Sequence, residues 1–289
     1  MTSGCPDLRD FKSVLIVKPS SLGDIVHTLP AVHAIKTSFP HLQLRWIAKP
    51  EWLPLIEGSP DVDQTIPFPQ REFKGLRGAG RLASWTRLWN ATPRELPEMV
   101  LDFQGLLRSG LISKTSGSSP ILGLSDAREG AHRFYDHTVP VDASAHAVDR
   151  YLELPHWLGA CIDPVVFSLP PGDAWPGRLP DRFVLLHPYS RGAGKALDHA
   201  ELQVMCDALA PAPAVIVGVS RDVPNITGGH VLNLTNQTSL AELIGLMRRA
   251  AAVVSVDSGP MHIAAAVNDA TLGIHTWSDP RKVGPYNPE

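Results

Sequence analysis

The chain has 289 residues, enough for about two domains of ~150 residues each, which excludes a stapled mini-protein or a single small binding module. At 44% hydrophobic and 19% charged residues it has the composition of a soluble globular protein, and general disorder is excluded. Lys and Arg number 26 against 29 Asp and Glu, a formal charge of -3, so no global basic field draws the chain to nucleic acid, and an anionic partner must be met locally.

In chain order, the β-branched run 13–17 reads as a strand. It ends in the tight loop Lys18-Pro-Ser-Ser-Leu-Gly-Asp24, after which Ile25, Leu29, Val32 and Ile35 recur with helical spacing. The alternation returns as a strand over 42–48 with a helix over 51–57, and as a strand over 99–103 with a helix over 106–113. A second series starts at Phe183-Val-Leu-Leu-His187, continues with a helix over about 200–209, and adds strands over 214–218 and 252–256. Repeated strand-then-helix units predict parallel sheets covered by helices, an α/β fold. Between the two series, residues 163–181 hold Pro164, Pro170, Pro171, Pro176 and Pro180, too many for a helix or a central strand. The expected organisation is therefore a first domain over 1–162, a Pro-rich linker over 163–181 and a second domain over 182–289. Ligands of parallel sheets sit beyond the carboxyl ends of the strands, so a cleft faced by both domains is the expected active site.

Cys5, Cys161 and Cys206 form no CxxC pair and no Cys/His cluster, which fits a reduced cytoplasmic protein without structural zinc. Asp7, Arg9, Asp10 and Lys12 precede the first apolar run, so no signal peptide is expected, and no stretch approaches the ~18 apolar residues of a spanning helix.

A dinucleotide loop needs three glycines, and the loop after the first strand has one; Gly78-Ala-Gly80-Arg-Leu-Ala83 matches the string but follows no strand. Gly192-Ala-Gly194-Lys195 is not a P-loop, because Tyr189 replaces the first Walker glycine and Ala196 the magnesium-binding hydroxyl. Three strand ends nevertheless carry polar groups. His187-Pro-Tyr-Ser-Arg-Gly-Ala-Gly-Lys195 offers Ser190, Arg191, Lys195 and glycine amides to a diphosphate, or is a glycine turn with exposed cations. Asp257, with the amides of Ser258 and Gly259, opens an apolar helix, and Asp24 begins another; each is a ligand contact or a helix cap.

Together these pieces resemble the ADP-heptose:lipopolysaccharide heptosyltransferases of glycosyltransferase family nine. The resemblance runs through Lys18-Pro-Ser-Ser-Leu-Gly-Asp-Ile-Val-His-Thr-Leu-Pro-Ala31, Asp102-Phe-Gln-Gly-Leu-Leu-Arg-Ser109, His132-Arg-Phe-Tyr-Asp136, His146-Ala-Val-Asp-Arg150, Val256-Asp-Ser-Gly-Pro-Met-His-Ile-Ala-Ala265 and Asp279-Pro-Arg-Lys-Val-Gly-Pro-Tyr286. The middle segments are most similar to the heptosyltransferase I branch. The resemblance implies a GT-B architecture of two Rossmann-like domains, an N-terminal acceptor domain and a C-terminal nucleotide-sugar domain, and metal-independent transfer with inversion and no cofactor. It implies Asp24 as the base, Ser190, Arg191 and Lys195 at the donor diphosphate, and Asp222 at the ribose. Asp257, Ser258, Gly259 and His262 then lie by the donor sugar, and His27, Gln104 and Arg108 contact the acceptor. The implied partners are an ADP-sugar and an anionic glycolipid.

The chain departs from the family at Lys195-Ala-Leu197, where a Lys-x-Trp is usual, at Asn268-Asp269-Ala270, where a Gly-x-Pro turn is common, and at Glu289, where relatives continue into a last helix. A non-catalytic nucleotide-sugar-binding scaffold of the same fold is the alternative function. Residues 71–94 hold six cations, among them Arg77 and Arg81, and one acid, Glu72. With Leu76, Leu82, Trp85, Leu88 and Trp89 interleaved, they read either as a basic amphipathic surface for the acceptor or the inner membrane face, or as a solvated helix whose tryptophans pack on the first domain.

Overall fold

The structure is a computed structural model that describes residues 5–70, 85, 96–192, 194–276 and 278–286. The chain divides into two compact units, Met1–Ser168 and Leu169–Glu289, each built on one parallel sheet.

In the first unit, Ser13–Val17 is β1, buried along its whole length, and it feeds helix α1, Leu22–Ser38. Then come β2 (Gln43–Ala48), β3 (Gln64–Pro67), β4 (Met99–Asp102), α2 (Leu107–Thr115), β5 (Ile121–Leu124), β6 (His137–Val139) and α3 (Ala147–Trp157). The helix expected over 51–57 is a short 3-10 turn, Pro50–Leu55, because Pro54 has no N–H to return to the carbonyl of Pro50. The sheet order is β3-β2-β1-β4-β5-β6 with every neighbour parallel. Leu15, Val17, Ile47, Val100 and Ile121 fill one buried cluster with Phe68. α1 buries Ile25, Val26, Leu29, Val32 and Ile35 and packs against α3, which explains why its apolar residues surround it rather than forming one stripe.

The second unit runs β7 (Val184–His187), α4 (His199–Leu209), β8 (Ala214–Ile216), β9 (Val231–Asn233), α5 (Leu240–Arg249), β10 (Ala252–Val256), α6 (Gly259–Val267), β11 (Thr271–Ile274) and α7 (Pro280–Val283). Its order, β11-β10-β7-β8-β9, is also all parallel. Capping boxes at Asp198 and Ser239 open α4 and α5. Both sheets thus have the doubly wound Rossmann order, with the winding reversing between β1 and β4 and between β7 and β10.

Residues 163–181 contain no helix or strand. Their middle is not a free tether, since Arg248 on α5 donates to the carbonyls of Leu169 (3.0 Å) and Pro170 (3.3 Å), and the Asp173 N–H bonds to the Ala241 carbonyl at 2.9 Å. Among the described residues no helix is long and apolar enough to cross a membrane.

Candidate functional site

In a doubly wound sheet the loops leaving the two strands on either side of the reversal splay apart and leave a crevice. In the first unit these are the loops after β1 and β4. Lys18, the residue after β1, is only 2% exposed. Its Nζ donates to the Phe103 carbonyl (2.8 Å) and to Tyr151 Oη (2.7 Å), and it lies 4.5 Å from the Tyr151 ring centroid. Tyr151, on α3, donates in turn to Asp24 Oδ1 at 3.4 Å. Burial pushes the Tyr151 phenol up and the Asp24 charge adds to this, while Lys18 opposes it. The phenol therefore keeps its proton and directs it at Asp24.

Asp24 is the third residue of α1. Its Oδ2 accepts from the Ser21 N–H (2.9 Å) and hydroxyl (2.6 Å), closing a capping box. The two oxygens thus have different partners, Oδ2 holding the helix start and Oδ1 facing Tyr151.

Beside these groups opens a cavity of about 360 Å³, lined by Lys18, Asp24, Gln104, Asp126, Arg128 and Arg150 with Asp102 beneath. Burial pushes the Asp102 carboxyl up, against hydrogen bonds from Ser109 Oγ (2.8 Å), the Gly105 N–H (3.1 Å), Tyr135 Oη (2.9 Å) and the Gln104 N–H (2.9 Å). Those four bonds fix the loop after β4, and Gln104 ties it to the loop after β1 by accepting from the Ser20 N–H at 3.1 Å. Arg150 is ion-paired with Asp126, while its Nε is buried with no partner among the described residues. Three carboxylates and three cations in one cavity suit a ligand that carries both hydroxyl and acidic groups.

Of the expected acceptor contacts, Gln104 lines this cavity. Arg108 is exposed on α2 beside a smaller depression shared with Gln104 and Ser20. His27 is 4% exposed and sits edge-on to His146 with ring centroids 5.3 Å apart, in the contact between α1 and α3 and not on the cavity wall. Arg77 and Arg81 lie outside the described residues. Within 71–94 the structure describes Trp85, which packs edge-on against Phe68 of the first core at 5.4 Å.

In the second unit the loops after β7 and β10 meet. Lys195 Nζ donates to Asp257 Oδ2 at 2.5 Å, and Ser190 Oγ donates to the Asp257 carbonyl at 3.2 Å. Ser278 Oγ donates to the same Oδ2 at 2.5 Å, and His275 Nδ1 stands 2.9 Å from Ser278 Oγ. Burial pushes the Asp257 carboxyl up, but the hydrogen bonds from Lys195 and Ser278 and the Lys195 charge outweigh it and hold the group below its usual range. Ser258 caps α6 with its hydroxyl 3.4 Å from His187 Nδ1, Gly259 is the first residue of that helix, and His262 lies half-buried in it. Arg191 is exposed beside Ser190. Asp222 stands apart from this cluster, its side chain 86% exposed and 3.4 Å from His199 Nε2. Among the described residues no group of three or more His, Cys, Asp or Glu is placed to hold a metal ion.

Beyond the residues expected from the sequence, Lys18, Arg128, Arg150 and Tyr151 stand at the first cavity, and His275 and Ser278 join the Asp257 cluster of the second unit. Lys18 carried a legible signal, a lysine directly after a β-branched strand, where an unpaired charge must find partners at the sheet's carboxyl edge. Arg128 and Ser278 stand in loops and His275 just past a four-residue strand, where no period marks them, and Arg150 and Tyr151 lie on α3, whose helical period shows its buried face but not its partners in the first sheet.

The family model of glycosyltransferase family 9 (heptosyltransferase) matches residues 85–161 and 218–289, together just over half the chain. Lipopolysaccharide heptosyltransferase 1 of Pseudomonas aeruginosa is 29% identical, over 94% of this chain and 81% of its own length. The solved family 9 glycosyl transferase of Veillonella parvula superposes with a TM-score of 0.81 at 17% identity, covering 95% of this chain and 83% of that one. The Escherichia coli heptosyltransferase WaaC, solved with ADP, superposes with a TM-score of 0.78 at 22% identity, covering 95% of this chain and 90% of that one. The two-sheet fold is therefore that of the GT-B heptosyltransferases, and the chain is an enzyme that belongs to glycosyltransferase family 9.

Proposed function

We propose that the chain transfers heptose from ADP-heptose to the lipopolysaccharide core, with inversion at the anomeric carbon and without a metal ion. The names of the relatives support this donor and acceptor, as do the WaaC structures with ADP and with ADP-2-deoxy-2-fluoro heptose. In this reading residues 1–162 are the acceptor domain, 182–289 the donor domain, and 163–181 the link between them. The enzyme then works in the cytoplasm, at the membrane face that presents the glycolipid.

The observation that carries the reading is Asp24 Oδ1, an acceptor atom held by Tyr151 at the edge of a cavity that also carries cations. An acceptor hydroxyl attacks the anomeric carbon on the face opposite the diphosphate. The carbon–oxygen bond to ADP breaks with its electron pair going to ADP, and Asp24 takes the hydroxyl proton. Lys195 and Arg191 balance the charge gathering on the departing diphosphate, and Ser190 adds a hydroxyl donor. Asp222 accepts from the ribose hydroxyls, Asp257 and His262 contact the donor sugar beside the Ser258 and Gly259 amides, and Gln104 and Arg108 serve the acceptor, while His27, buried against His146, acts through the packing of α1 on α3.

Asp24→Asn tests the assignment. Turnover falls by about a hundredfold or more, with ADP affinity unchanged by calorimetry. Near-normal turnover would leave Asp24 as a helix cap. Activity in excess EDTA equals activity without it, and a magnesium or manganese requirement would overturn the charge-balancing role of Lys195 and Arg191.

A further inference from the structure

Beyond the contacts already assigned, the second unit holds a hydrogen-bonded line that runs behind the donor loops, from His275 through Ser278 and Asp257 to Lys195. β10 and β11 pair Val256 with Ile274, so Asp257 and His275 each stand one residue past the paired ends, on neighbouring strands of the same carboxyl edge. The Asp257 N–H closes the ladder on the Ile274 carbonyl at 2.9 Å, which fixes the backbone from which the carboxylate projects.

The proton count sets the direction of the line. Asp257, ionised against Lys195, only accepts, so the single hydroxyl proton of Ser278 goes to Asp257 Oδ2. Ser278 is left with lone pairs alone for His275, and His275 Nδ1 must therefore carry the ring proton. This polarity is opposite to that of a serine nucleophile, whose proton is taken by its histidine, so the line supports the carboxylate and performs no acyl chemistry.

The ring is also seated for this single purpose. A Cβ on Gly273 would lie 3.1 Å from His275 Nε2 and 2.7 Å from Met261 Sδ, so the glycine makes the slot that the ring occupies. Nε2 is buried there with no partner among the described residues, which leaves Ser278 as the ring's hydrogen-bond partner. At the other end, Oδ2 takes both Lys195 and Ser278, while Oδ1 has no hydrogen bond from the described residues.

We propose that His275 and Ser278 are positioning residues of the donor site, which lock the Asp257 carboxylate so that Oδ2 steadies Lys195 and Oδ1 is presented to a hydroxyl of the donor sugar. The inference rests on Lys195 and Asp257 being donor contacts.

The test compares Ser278→Ala, Ser278→Thr, His275→Phe and His275→Asn in the full chain, by donor KM and kcat and by ADP calorimetry, with Lys195→Ala as reference. Ser278→Ala removes a hydrogen bond to a charged group, and donor KM and ADP Kd rise about tenfold while kcat stays within about threefold. Ser278→Thr keeps the hydroxyl and restores both values to within about twofold. His275→Phe raises KM about threefold, and His275→Asn, whose amide N–H takes the place of Nδ1–H, returns it toward the wild-type value. Unchanged KM and Kd in Ser278→Ala, or equal damage in Ser278→Ala and Ser278→Thr, overturns the positioning role. If Lys195→Ala weakens ADP at least tenfold and Ser278→Ala does not, the positioning role alone fails. If Lys195→Ala leaves ADP binding intact, the donor-site reading fails and this inference with it.

Discussion

Gly123→Ala adds one methyl group to β5, one strand in from the edge of the first sheet, and shows how tightly the cavity floor is built. Gly123 lies on β5 with ordinary backbone angles, so alanine meets no conformational penalty there. Its Cβ, however, would stand 2.2 Å from Tyr135 Cε2 and 2.3 Å from Cζ, inside the ring's van der Waals surface. The ring must retreat by more than an ångström, and it is pinned, because Tyr135 Oη donates to the fully buried Asp102 at 2.9 Å. Overpacking costs ~1–3 kcal/mol and a lost hydrogen bond to a buried charge ~1.5–3 kcal/mol. We therefore expect a loss of about 3–5 kcal/mol, a large share of the ~5–15 kcal/mol that stabilises an ordinary domain. Equilibrium urea unfolding measures it, with Tyr135→Phe isolating the hydroxyl at about 2 kcal/mol. In a Tyr135→Ala background the methyl has room, and the cost of Gly123→Ala should drop below about 1 kcal/mol. A cost that is equal in both backgrounds, or under about 1 kcal/mol in the wild type, would refute the steric argument.

Two further predictions concern pH and the basic segment. Burial pulls the His187 imidazole down to about 4, whereas an unfolded histidine titrates near ~6.5. Between those values the unfolded chain binds a proton that the folded chain refuses, so stability falls as pH drops below about 6.5 and the loss of about 3 kcal/mol is complete near pH 4. Urea midpoints at pH 7, 5.5 and 4.5 should show this slope in the wild type and a flatter one in His187→Gln; identical slopes would remove His187 as the cause. Charge reversal at Arg77, Arg81 and Arg87 should lower salt-sensitive binding to anionic vesicles and weaken acceptor use with ADP affinity unchanged. Indifference in both assays would assign the segment to packing of the kind Trp85 makes on Phe68.

The strands that open each unit were legible in the sequence for a physical reason. A central parallel strand is covered on both faces and reads as a near-continuous apolar run, as 14–17 and 183–186 do. The polar residues that follow such runs had to lie at the sheet's carboxyl edge, which is why Asp24, Lys195 and Asp257 could be singled out in advance. The outer strands are different. β5 is Ile-Leu-Gly-Leu and β11 is Thr-Leu-Gly-Ile, four residues each with a glycine inside, too short for a period and understandable only from the rings of Tyr135 and His275 that the glycines admit. Pairing across sequence distance was likewise decided by tertiary structure. Lys18 and Tyr151 are 133 residues apart, and Lys195 and Ser278 reach one oxygen of Asp257 from different loops. Local sequence determines which residues end a strand, but a hydrogen bond depends on the position of both partners in space, and only the winding order of the sheets brings those strand ends together.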